Sequence, residues 1–187
     1  KWRVLAGMNF KKVKMIDGDG NKKPYGDQSP TKGNISDIIC IGFSPSDGSC
    51  PEENLLVSVI ASTSRNNLNN SINPTSGNKF SFGTEQFISM GKNSPTFNRM
   101  KATYSHFIPT KLINLTKECK STDANSEDCP QAFGFQFKAG TILGELPPYE
   151  AFCMGGTSSV RGWGSCDLAV SRSFVEGTAE YRFPVWR

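Results

Sequence analysis

Long apolar runs, histidine and clustered basic charge are all scarce in this 187-residue chain, and each shortage removes a class of function. No run approaches the ~20 apolar residues a membrane helix needs, so helical spans are excluded. Membrane-barrel strands are not excluded, because they alternate and escape a hydropathy scan. Histidine occurs once, as His106. That rules out a multi-histidine metal site, and Ser-His-Asp chemistry would have to use this one residue without any Gly-x-Ser-x-Gly turn beside it. The expected role of His106 is that of a strand residue near an interface. Lys and Arg number 21 against 17 Asp and Glu, scattered with only short pairs such as Lys11-Lys12 and Lys22-Lys23. Nucleic-acid binders carry a stripe or patch of basic charge, so no nucleic-acid partner is expected. The opening Lys1-Trp2-Arg3-Val4-Leu5 lacks the layout of a signal peptide; a secreted protein starting here is mature or truncated.

Close cysteine doublets are also missing, which removes the usual zinc spacings. The six cysteines fall instead as three local pairs, Cys40 with Cys50, Cys119 with Cys129, and Cys153 with Cys166, in or around segments rich in Ser, Asp, Gly or Pro. Such pairs are expected to be disulfides made in an oxidising compartment. Each contributes roughly 2–3 kcal/mol in the chain-entropy picture. Six unrelated thiols is the alternative, and spacing alone does not fix connectivity. Asp17-Gly18-Asp19-Gly20-Asn21 imitates the start of a calcium loop, but Lys22 stands where Gly is required and Gln28 where the bidentate Glu belongs. A solvated loop is expected there. Asn34-Ile35-Ser36 and Asn114-Leu115-Thr116 match the glycosylation sequon, a short and weak pattern.

What the chain does have is period-two alternation. Six segments carry it: 2–15, 55–63, 79–90, 98–108, 132–143 and 173–186. The fifth is the cleanest, with Phe133, Phe135, Phe137 and Ala139 opposing Gly134, Gln136, Lys138 and Gly140. These runs match the ~10 residues of a tilted membrane strand better than the ~5–6 of a globular one. Aromatics gather near strand ends (Trp2, Phe107, Phe174, Tyr181, Phe183, Trp186), as boundary girdles would. The opposite faces mix Lys, Arg, Glu and Gln with small residues, as a wet lumen tolerates. The connections 16–53 and 144–172 are long, as on a barrel's outer face. A soluble antiparallel sandwich also alternates and stays open as an alternative. Asn73-Pro74-Thr75-Ser76-Gly77 reads as a tight stop between the second and third strands.

The stretch from Phe152 to Trp163 carries the strongest motif: Gly155-Gly156, then Val160-Arg161-Gly162-Trp163. Glycines let the backbone turn sharply around one Arg. The planar fork of Arg161 suits bidentate pairing with a carboxylate; a solvated Arg on a glycine-rich surface turn is the competing reading.

With its downstream strand, this stretch resembles the lid loop of the outer-membrane protein insertase superfamily, the BamA-type bacterial surface antigen barrels. Gly155, Gly156, Val160, Arg161 and Gly162 match the family's pattern, and Trp163 stands where Tyr or Phe is commoner. Gly177-Thr178-Ala179-Glu180-Tyr181-Arg182-Phe183-Pro184 resembles the strand that follows. The segments 73–77, Gly83-Thr84-Glu85-Gln86 and 144–152 resemble the cyanobacterial branch in particular, so the similarity spans most of the chain after Leu55. The cysteine pairs depart from the family pattern.

The resemblance implies an all-β fold, an antiparallel meander forming part of a transmembrane β-barrel. Residues 1–187 would be an internal piece of about six strands, about the seventh to twelfth, including the lid loop 144–172. POTRA domains and the remaining strands would lie outside it. The implied function is non-enzymatic: assembly and insertion of β-barrel proteins, with the loop entering the lumen and bracing its wall. Glu176 and Glu180 are the acceptors offered to Arg161 within the chain. No catalytic residue, cofactor or metal is expected. Implied partners are outer-membrane lipid, unfolded β-barrel client proteins, and assembly-complex subunits reached through POTRA domains. The implied location is the outer membrane of a Gram-negative, cyanobacterial-type cell, ranked ahead of a chloroplast outer envelope. The alternatives are a protein-translocating pore of the same superfamily (two-partner secretion or chloroplast-envelope import type), the barrel of a patatin-like phospholipase fusion, and a soluble β-sandwich.

Overall fold

A computed structural model describes residues 1–14, 53–88, 95–113, 130–157 and 159–185. The acidic stretch at 17–28, both sequons, Trp186, and Cys40, Cys50, Cys119 and Cys129 lie outside the described residues. Each of the six alternating segments is a strand. They form β1 (Trp2–Lys14), β2 (Glu53–Asn66), β3 (Gly77–Ile88), β4 (Phe97–Pro109), β5 (Ala132–Gly144) and β8 (Ser173–Arg182). All six are antiparallel in one sheet of order β1-β2-β3-β4-β5-β8. Within the β5–β8 connection lie a single 3-10 turn (Pro148–Glu150) and two short strands, β6 (Phe152–Met154) and β7 (Ala169–Ser171), which pair as a second, two-stranded sheet. Alternation over three residues is too short to read, and sequence reasoning did not find this hairpin.

The register follows the hydrophobic pattern, since residues paired across strands share a face and a one-residue slip would turn every side chain over. Ala6 faces Ala61, Phe82 faces Ala102, and Phe137 sits between Tyr104 and Gly177. The apolar set therefore lies on one side as expected, and it is open to solvent: Val4 and Val175 are 80% exposed and Phe10 71%.

The expected transmembrane β-barrel is not what the structure contains. A barrel closes only when its last strand pairs with its first. Among the described residues β1 pairs only with β2 and β8 only with β5, so the sheet is open with two free edges. Among the described residues the sandwich alternative is not formed either. It needs a second sheet against the apolar face, whereas the β6–β7 hairpin packs on the opposite, polar face.

That packing produces the core. Leu56, Phe87, Phe97 and Ile142 occupy polar-face positions at one end of the sheet, and Leu146 from the connection completes a buried cluster with them. The Phe87 and Phe97 rings stack with centroids 4.0 Å apart. Val13, Tyr149, Ala151 and Phe152 border the cluster. The connection thus covers an apolar patch inside an otherwise polar face.

Amide side chains hold the described parts of two connections. In the β2–β3 turn, Asn69 Oδ1 accepts from the backbone N–H of Thr75 and Ser76, each at 3.1 Å, and Asn70 Oδ1 accepts from Ile72 and Asn73. Gly77 ends the turn at φ +101°, where a Cβ would lie 2.1 Å from the Asn67 carbonyl oxygen. In the β4–β5 connection, buried Gln131 accepts from the Leu112 and Ile113 amides at 3.1 Å and from the Tyr181 hydroxyl.

Candidate functional site

The site is the β5–β8 connection and the part of the polar face beneath it. Glu145 N–H donates to the Thr96 carbonyl at 3.1 Å, and its carboxylate accepts from Thr96 N–H at 3.3 Å, so the connection leaves β5 tied to the start of β4. It returns through Arg172, whose guanidinium donates to the Gly144 carbonyl at 2.7 Å and whose own carbonyl accepts from Ile142 N–H at 3.0 Å. Between these points β6 and β7 form the stem of a hairpin. The Cys153–Cys166 disulfide joins β6 to the residues leading into β7, with Cα atoms 4.6 Å apart.

Above the stem the chain turns on glycines. Gly155 has φ +119°, and a Cβ there would meet the Gly164 carbonyl oxygen at 2.3 Å. Gly156 N–H donates to the Trp163 carbonyl at 3.0 Å, which closes the tip as a loop running from 156 to 163. Gly162 also has positive φ, at +93°, but a Cβ there would meet open space. Cys166 is the one non-glycine residue with positive φ (66°) among the described residues.

The sequence-predicted residues are brought together unevenly. Glu176 and Glu180 both lie on the polar face, opposite Lys138 and Gly134 respectively. Arg161 reaches Glu180 through a single contact of 3.7 Å between Nη2 and Oε2, with its side chain 78% exposed. That is an ion pair without hydrogen-bond geometry, so the expected bidentate fork is not formed. Arg182 holds the other Glu180 oxygen and stacks over Phe107, its Cζ 5.1 Å from the ring centroid. Glu176 is buried and occupied by other groups: Lys138 Nζ donates to Oε1 at 2.7 Å and Ser159 Oγ to Oε2 at 2.6 Å. Ser159, which sequence reasoning missed, is therefore the tip residue that bonds the sheet; a serine in a Gly-Ser turn carries no signal of its own. A pocket of ≈ 260 Å³ lies between tip and sheet, lined by Gln136, Lys138, Thr157, Ser159, Arg161 and Arg182 among others. Val160 and Trp163 belong to the tip without bonding the sheet through side-chain polar groups. His106 sits on the apolar side with its ring parallel to that of Tyr104, centroids 6.3 Å apart.

A second charged group was also missed. Glu150, in the 3-10 turn, accepts from Lys11 of β1 and from Arg99 of β4. Lys11 and Arg99 were legible as polar-face residues; their partner belongs to a loop whose path the alternation does not give. Among the described residues no three His, Cys, Asp or Glu side chains gather to hold a metal ion.

Comparison with known proteins places this arrangement. The chain is 34% identical to Protein TOC75, chloroplastic, of Oryza sativa subsp. japonica over 109 residues, 58% of this chain and 12% of that protein. It is 30% identical to Protein TOC75-4, chloroplastic, of Arabidopsis thaliana over 109 residues, 58% of this chain and 26% of that one. Over 56 residues, 30% of the chain and 8% of the relative, it is 43% identical to Outer envelope protein 80, chloroplastic, of Arabidopsis thaliana. The chain thus spans well under two thirds of the relatives it matches. These relatives are plant chloroplast proteins, so the expected cyanobacterial branch and Gram-negative outer membrane are corrected: the similarity is not specific to that branch, and the ranking of the two locations reverses. The open meander of long strands, the Gly-Gly and Val-Arg-Gly tip lying on its polar face, and a match to the Omp85 superfamily domain over residues 1–187 agree, and the chain belongs to that superfamily.

Proposed function

We propose that residues 1–187 are part of a longer chloroplast-envelope protein that passes polypeptides across the envelope, the import-type alternative rather than the bacterial insertase. The observation that supports it is the superfamily match over the whole chain together with relatives named as chloroplastic and as outer-envelope proteins. In this reading the role is non-enzymatic. The polar face serves the passing chain, with Lys, Arg, Glu, Gln, Ser and Thr offering exchangeable hydrogen bonds, while the apolar patch at one end lies covered by the connection. The β5–β8 connection occupies that face and sets how much of it is accessible. Arg161, Gly155, Gly156, Val160, Gly162 and Trp163 shape its tip, and Glu180 and Glu176 receive it. Partners are unfolded precursor polypeptides and envelope lipid.

The test uses the full-length protein. Chloroplasts whose only copy carries Arg161→Ala are given a labelled precursor, and import is expected to fall at least tenfold while the protein stays folded in the envelope. Wild-type import would reduce the motif to a surface turn. Normal import with failed insertion of outer-envelope proteins would favour the insertase reading.

A further inference from the structure

The β5–β8 connection is held to the sheet at a second place, far from the glycine-rich tip. Glu150 has a side chain 4% exposed and gives each carboxylate oxygen to a different strand. Oε1 accepts from Lys11 Nζ of β1, and Oε2 from Arg99 Nη1 of β4 at 2.9 Å. The other arm of Arg99, Nη2, donates to Glu85 Oε2 of β3 at 2.6 Å, and Glu85 Oε1 accepts from Ser58 Oγ of β2 at 2.6 Å. One loop carboxylate is thereby connected to four consecutive strands. The four charged groups sum to zero. The buried cluster of Leu56, Phe87, Phe97, Ile142 and Leu146 lies at the same end of the face, and Arg99 Cζ is 5.5 Å from the Phe87 ring centroid. The Arg99 side chain is 32% exposed and Lys11 55%, so the Glu150–Arg99 pair is the one that water screens less, and removing Glu150 takes a buried anion away from Arg99.

The tip is held differently. Among the described residues, its polar side-chain contacts with the sheet are one hydroxyl–carboxylate hydrogen bond from Ser159 and the 3.7 Å pair of an Arg161 side chain that faces solvent. Exposed pairs of that length contribute little.

From this asymmetry we infer that Glu150 is the positioning residue of the connection. It fixes the stem to the sheet, and the Val-Arg-Gly tip is a separate contact that lifts from Glu176 and Glu180 while the stem stays docked. The disulfide and the β6–β7 pairing keep the stem one body during that motion. This goes beyond the functional reading above and does not depend on what crosses the polar face.

The test is hydrogen exchange on the full-length protein in lipid nanodiscs, read by mass spectrometry. Glu150→Gln keeps the shape and removes the charge. Peptides covering 145–154 and 166–172 are expected to exchange at least tenfold faster, with β3 and β4 still protected. Lys11→Met alone, which leaves Arg99 on Glu150 and removes a half-exposed cation, is expected to speed that exchange by less than threefold. Ser159→Ala with Arg161→Ala should speed exchange only at 155–164. Wild-type exchange in Glu150→Gln would mean that the residue only fills space. Equal loosening of the stem by the tip variant would mean that the two contacts are one. Loss of protection across β3 and β4 in Glu150→Gln would assign Glu150 to the sheet rather than the loop. Each of these overturns the inference. No precursor is present, so this assignment and the translocation reading fail separately.

Discussion

The stem and the tip of the β5–β8 connection touch the same face of the same sheet by opposite means. The stem brings apolar surface: Leu146 and Phe152 close over Leu56, Phe87, Phe97 and Ile142, and Glu150 is bonded inside the boundary of that patch. The tip brings glycines, hydroxyls and one exposed arginine to a stretch of sheet carrying Lys138, Glu176, Glu180 and Arg182. Burial stabilises by roughly 25 cal/mol for each Å² of apolar surface removed from water, and the tip removes little. A segment can therefore be permanent at one end and exchangeable at the other without a hinge of special sequence, because the sheet beneath changes from greasy to charged along its length.

The sharpest way to break that contrast is in the sheet beneath the stem. Phe97→Ala removes a ring that is 1% exposed and stacked on Phe87; about 3–5 kcal/mol of stability should be lost, measured by denaturant unfolding of the full-length protein in detergent. A loss no larger than that of a tip substitution would erase the distinction. Next comes the covalent link. Replacing Cys153 and Cys166 by Ser opens a loop with a sequence separation of 13 and should cost about 3 kcal/mol. In the parent protein both thiols should resist maleimide until dithiothreitol is added. Gly155→Ala places a Cβ 2.3 Å from the Gly164 carbonyl oxygen at a φ that side chains avoid. A cost of about 1–3 kcal/mol is expected, read as a lower unfolding midpoint, whereas Gly162→Ala, with open space around it, should cost less. Arg161→Ala should change stability least, by under about 1 kcal/mol, while lowering import at least as far as proposed above. A large stability loss at Arg161 together with normal import would reverse the roles assigned to stem and tip.

The six long strands and the sides on which their residues lie were legible because alternation is a local property: each of Phe133, Phe135 and Phe137 declares its face through its immediate neighbours. The core was not legible. Leu56, Phe87, Phe97 and Ile142 sit at polar-face positions next to apolar residues of the other face (Val57, Ile88, Leu143), so the pattern blurs where the cover arrives. That cover, Leu146 and Phe152, is remote from most of its partners in sequence, and its path depends on turns at 145–150 that no period encodes. Arg161 and its glycines stood out as a motif, yet the residue that bonds Glu176 is Ser159, whose importance follows only from where the tip lands. Closure failed for a related reason: strand length and aromatic placement are shared by barrel strands and by strands of an open sheet, and neither states which edges meet.

Gly140 bears on how such a chain can vary. Two rings converge on it, Phe174 from β8 and Phe152 from β6, so that a Cβ at 140 would lie 2.6 Å from one and 2.8 Å from the other. The three positions are sterically coupled. A larger residue at 140 is admissible only where both 152 and 174 have become smaller or shifted, and the intermediate with two bulky neighbours is the one selection would discard. Among related sequences, substitutions at 140, 152 and 174 should therefore be ordered in time as well as correlated, so the docking of the hairpin would leave a record in descent.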